Sequence, residues 1–146
     1  MKGKLLALIV LLLQVSLPAQ ALSTWELTYQ PRQRIVKTIA IDKSTIFIGT
    51  GNGVLKSDDE GKTWEDFSTK DLQKDINGNA QVNWVTINKN KIYIATSFGA
   101  YVSSIKKAKW EKIFENTKTE SNEVNSITID NEKIYLCTND GFWISD

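Results

Sequence analysis

The chain has 146 residues, 41% hydrophobic and 24% charged, which suits one packed domain and excludes a disordered tail, a fibre or a polytopic membrane protein. Eighteen Lys and Arg against 17 Asp and Glu leave a net charge of +1, too little to draw in nucleic acid. Histidine is absent and Cys137 is the only cysteine, so a zinc site of His and Cys ligands, a disulfide framework and a histidine base are all excluded.

Residues 1–21 read as a secretory signal peptide. Lys2 and Lys4 precede an unbroken apolar run from Leu5 to Leu13, and Pro18-Ala19-Gln20-Ala21 supplies a small-x-small cleavage pattern. The run is short for a bilayer span. The expectation is an exported protein, periplasmic or extracellular, or lumenal in a photosynthetic host. Membrane contact is expected only through an uncleaved signal segment. A single Cys137 in an oxidising compartment is expected to be a buried thiol.

Residues 22–146 are a repeat. Ile39–Thr50 (IAIDKSTIFIGT), Val85–Thr96 (VTINKNKIYIAT) and Ile127–Thr138 (ITIDNEKIYLCT) align without a gap. The alignment runs on through Gly53, Gly99 and Gly141 to Ser57, Ser103 and Ser145. A period in the forties, built of β-branched runs broken by Gly, Asn and Asp, predicts four-stranded propeller blades. The expected fold is all-β, with repeats at about 35–67, 82–114 and 124–146. Trp25-Glu26-Leu27 resembles Trp64-Glu65-Asp66 and Trp110-Glu111-Lys112, so a lone outer strand is expected near 24–28. Three blades fall short of the usual 4–8, which makes this an incomplete propeller. The second strands are apolar on both sides, so the first repeat is expected to expose one side of Ile46, Phe47 and Ile48. The third should do likewise around Ile134, Tyr135 and Leu136. Gly49 and Ala95 stand where the third repeat has Cys137, which predicts a tight position between blades. Trp84 and Trp143 lie within strands and are expected in the core. Pairing Trp25-Glu26-Leu27 of one copy with Phe142-Trp143-Ile144 of another would make a six-bladed homodimer.

Ser57-Asp58-Asp59-Glu60-Gly61-Lys62-Thr63-Trp64 fits Ser-x-Asp-x-Gly-x-Thr-Trp, the Asp box, and resembles the sialidase-type BNR repeat family. In the second repeat Ser103 and Trp110 remain, with Ile105, Lys107 and Lys109 in place of Asp, Gly and Thr. Asp59 is expected to accept backbone N–H groups in its turn, Gly61 to take a positive φ and Trp64 to cover the hairpin. The set Ser57, Asp59, Gly61, Thr63 and Trp64 is therefore read as structural.

The resemblance implies blades of a propeller. In outline the chain is most similar to the photosystem II assembly and stability factor type, whose members bind other proteins. Sialidases of this repeat type would imply three arginines around a carboxylate, whereas the chain has only Arg32 and Arg34, side by side. Asp42 and Asp130 recur at equivalent positions but fall in strand-to-strand turns. The expectation is a non-catalytic module, without cofactor or metal, that binds a protein or polysaccharide. The alternative is a fragment of a glycosidase-like propeller whose catalytic blades are absent. Binding loops are expected between second and third strands, at Gly51-Asn52, Ser97-Phe98 and Asn139-Asp140, and between fourth and first strands, at Ser68 to Gln81 and Glu115 to Glu123. Asn52, Phe98 and Asp140 are the candidate contacts, with Phe98 the apolar anchor.

Overall fold

The computed structural model describes residues 26–27, 35–70, 72, 81–117 and 121–146. The signal segment 1–21, Trp25, Arg32, Arg34 and most of the 68–81 connection lie outside the described residues. Glu26 and Leu27 are exposed and belong to no strand.

Eleven strands among the described residues form three antiparallel meanders. The first blade has β1 (Val36–Asp42), β2 (Thr45–Thr50), β3 (Gly53–Ser57) and β4 (Glu65–Asp66). The second has β5 (Val82–Asn88), β6 (Lys91–Thr96), β7 (Gly99–Ser104) and β8 (Glu111–Phe114), and the third has β9 (Val124–Asp130), β10 (Lys133–Thr138) and β11 (Gly141–Ile144). The all-β, incomplete-propeller reading of the sequence is the fold that the chain adopts. First strands touch, β1 with β5 and β5 with β9, so they lie toward the inside of the arc.

The local chemistry that makes each blade is repeated. The hydroxyl of Thr50 donates to the Gly53 carbonyl at 2.9 Å and accepts the Asn52 N–H at 3.1 Å. Thr96 and Thr138 make the same pair of bonds in their own turns. A threonine at the end of the second strand thus closes each tight turn with its own side chain. The glycine that follows is needed for two reasons. Gly53 has φ of 117°, and a Cβ there would run into Ser68 Oγ. That hydroxyl accepts the Val54 N–H at 2.8 Å, tying the exit of the outer strand to the start of β3.

Paired residues share a face in an antiparallel sheet, and this explains the packing. Ala40, Phe47 and Val54 face the second blade, which returns Val82, Val85, Ile92, Ile94 and Tyr101. Phe67 joins the two, edge-on to Phe47 at 5.2 Å and to Trp110 at 6.1 Å. The Trp110 indole N–H donates to the Phe67 carbonyl at 3.0 Å. The second blade then turns Tyr93, Ala95, Ala100 and Phe114 toward Val124, Ile127, Ile134, Leu136 and Trp143 of the third.

Several sequence expectations need correction. Cys137 is exposed, not buried. Gly49 and Ala95 are buried because a following blade covers them, and no described blade follows the third. Trp84 is 44% exposed rather than core. It stands beside the β5 bulge on an inner strand of an open arc, where blade packing does not enclose it. In the first blade Phe47 and Ile48 are buried, and exposure falls on Ile39 and Ile41 of the inner strand instead. In the third blade Leu136 is buried while Phe142 and Ile144 are exposed. Phe47 and Leu136 point at the second blade, which covers them, whereas Ile39, Ile41, Phe142 and Ile144 point the other way. Trp143 does join the core, with its ring 5.2 Å from Phe114.

Candidate functional site

Antiparallel meanders place alternate turns at opposite ends, giving the molecule two chemically different ends. One carries the β3–β4 hairpin with the Ser57–Trp64 motif. There the Ser57 hydroxyl donates to Asp59 Oδ1 at 2.8 Å and accepts the Gly61 N–H at 2.8 Å. The Thr63 N–H and hydroxyl bind the two Asp59 oxygens at 2.8 and 2.7 Å. Gly61 has φ of 91°, which frees its carbonyl to accept the Trp64 indole N–H at 3.0 Å. In the second blade Ser103 keeps its part by accepting the Lys109 N–H at 2.8 Å, although the aspartate is gone.

The backbone N–H of Thr63, then its hydroxyl, hold the Asp59 carboxyl down at about 2 against an ordinary 3.8. Beside it, the Lys56 ammonium at 2.6 Å lowers the Asp58 carboxyl, helped by the Thr45 hydroxyl. Asp59 is a turn-builder, since its oxygens are taken by donors from its own loop. Because its folded pKa lies below the unfolded one, its contribution is present above pH 3.8 and fades as pH falls toward 2. Asp59→Asn should therefore lower the melting temperature at pH 7, with the gap to wild type closing between about pH 4 and pH 2. A pH-independent gap in thermal melts would contradict this role.

The other end gathers the β2–β3 type turns. Asn52, Phe98 and Asp140 all lie there and are exposed, with Phe98 at 36%. The Asn116 amide donates to Asp140 at 3.2 Å. Sequence reasoning reached the loops that hold Gln81, Glu123 and Asn139 but missed Lys37, Asn83 and Asn125, which complete a polar row beside these turns. Lys37 Nζ donates to Gln81 Oε1 at 2.7 Å and Asn83 Oδ1 at 3.1 Å, and the Asn83 amide donates to the Val124 carbonyl at 3.0 Å. These bonds lace one blade to the next. Farther round, the Asn125 amide donates to Asn139, whose own amide donates to Glu123, both at 2.9 Å. Lys37, Asn83 and Asn125 each stand two residues before the aligned segment, so extending the repeat upstream would have found them.

Among the described residues this end offers amide donors and acceptors, few charged groups, and the ring of Phe98 at a turn. Such a surface suits a partner read by many hydrogen bonds. Among the described residues, no three of His, Cys, Asp and Glu stand together as metal ligands. Asp42 and Asp130 lie by the β1–β2 and β9–β10 turns, at the opposite end from this row. Among the described residues no helix is long and apolar enough to cross a membrane.

Such geometry defines a run of consecutive propeller blades, and solved structures share it. The chain matches the extracellular domain of the putative hybrid two component system BT4673 from B. thetaiotaomicron with TM-score 0.64, 17% identity and 81% coverage of this chain. It matches YCF48 from Cyanidioschyzon merolae with TM-score 0.69, 16% identity and 84% coverage. Both are propeller-type folds. A computationally designed protein, Ika8, is similar with TM-score 0.56 and 11% identity over 76% of this chain. The chain spans 17% of the BT4673 domain, 40% of YCF48 and 33% of Ika8. No protein-family model and no curated protein matches the sequence.

Proposed function

We propose that the chain is an exported, non-catalytic propeller module of the sialidase-type BNR, Asp-box kind, which binds a protein or polysaccharide. The observation that supports it most is the polar row of Lys37, Gln81, Asn83, Asn125 and Asn139 beside the turns of Asn52, Phe98 and Asp140. The hydrogen bonds within this row fix its side chains before any partner arrives, which lowers the entropy lost on binding. Phe98 is the apolar anchor in its midst. Export rests on the leader-like residues 1–21. Absence of a cofactor, and indifference to nucleic acid, belong to the same reading.

A photoreactive residue at position 98 should cross-link one defined partner in the native compartment, or the protein should be retarded in gels containing one polysaccharide. The same probe at Lys62, at the opposite end, should not cross-link that partner. Phe98→Ala should weaken binding about 10-fold. Hydrolysis of a sialoside or glucan by the pure protein, lost in Glu123→Gln, would overturn the proposal in favour of a glycosidase-like fragment.

A further inference from the structure

Exposed apolar side chains gather on two surfaces, while Trp84, Phe98 and Ile113 are exposed singly elsewhere. On the first blade, the face turned away from the second carries Val36, Ile39 and Ile41, exposed by 45, 57 and 60%. On the third blade, the face turned away from the second carries Phe142 and Ile144, exposed by 63 and 55%, beside the exposed Cys137. Tyr135 runs nearly parallel to Phe142, at 21° with ring centroids 6.1 Å apart.

Each surface is one half of a contact that the molecule already makes twice. Val36, Val82 and Val124 occupy the same register, opposite Thr50, Thr96 and Thr138, and each is followed by the same slip in pairing. Val82 and Val124 are wholly buried, because each inserts against the preceding blade. Val82 lies so close to Gly49 that a Cβ there would sit 2.6 Å from its methyl. On the receiving side Gly49, Ala95 and Cys137 are equivalent, opposite Val54, Ala100 and Phe142. Val36 is thus an inserting residue with nothing to enter, and Cys137 with Phe142 is a receiving site with nothing in it among the described residues.

We propose that the open face of the third blade seats the open face of the first blade of a second copy of this chain, with Val36 against Cys137. The second copy is the occupant because the chain itself carries the complementary half, in the same register as its two internal interfaces. The contact is head-to-tail, so it must close or polymerise. Two copies of the three described blades close at six, within the usual range of about 4–8. This inference is independent of the partner-binding role.

Sedimentation equilibrium of the purified protein at micromolar concentration should give twice the monomer mass. Val36→Asp and Phe142→Asp should each give a folded monomer by circular dichroism, since both side chains are exposed within one chain. Mixing the two variants should restore association, because each keeps the half that the other has lost. Cys137 should react with a thiol reagent at least about tenfold more slowly in wild type than in Val36→Asp. A wild-type monomer, dimers that survive both substitutions, or a mixture that stays monomeric would each overturn the proposal. Open-ended polymers would overturn closure at six blades.

Discussion

Phe47→Ala is expected to remove about 3–5 kcal/mol of stability, a large part of the 5–15 kcal/mol typical of a domain. Phe47 is fully buried at the centre of the contact between the first two blades. It touches Phe67 edge-on, and Phe67 in turn meets Trp110. Truncation leaves a cavity at the junction of two sheets, and neither sheet can collapse into it without breaking its own ladder. Urea unfolding followed by tryptophan fluorescence measures the loss. A change below about 1.5 kcal/mol would mean that this face does not hold the blades together.

Gly49→Val tests the same contact from the opposite direction, by overfilling it. A Cβ at Gly49 would lie 2.5 Å from a Thr38 methyl and 2.6 Å from a Val82 methyl, both on branched side chains with little freedom to move. The expected cost is about 1–3 kcal/mol, and more if the sheets are forced apart. Gly51→Ala is the matched control, since nothing lies within 4 Å of a Cβ there. It should stay within about 0.5 kcal/mol of wild type. Adding Val82→Ala to Gly49→Val should recover part of the loss, giving a coupling of about 0.5–3 kcal/mol in a double-mutant cycle. Additive losses would show that Gly49 and Val82 do not meet.

The blades were legible because their signals are local. A Thr that closes its own turn, a Gly with left-handed φ three residues on, and alternation of β-branched residues need only neighbours in sequence. The Ser57–Trp64 hairpin was legible for the same reason, since Asp59 bonds within four residues of itself. The rim was only half legible. Its turns at Asn52, Phe98 and Asp140 follow from strand order, whereas the bonds from Lys37 to Gln81 and Asn83 span more than forty residues.

What the amino-acid sequence determined by itself was the repeating unit: strand lengths, turn chemistry and the register in which Val36, Val82 and Val124 recur. What only the tertiary structure decided was which members of an equivalent set are covered. Gly49 and Ala95 are buried while Cys137 is bare, and Val82 is buried while Val36 is not. Within one blade these positions are alike. Burial is a property of the blade next door, and a residue's own neighbours in sequence carry no information about whether that blade is present.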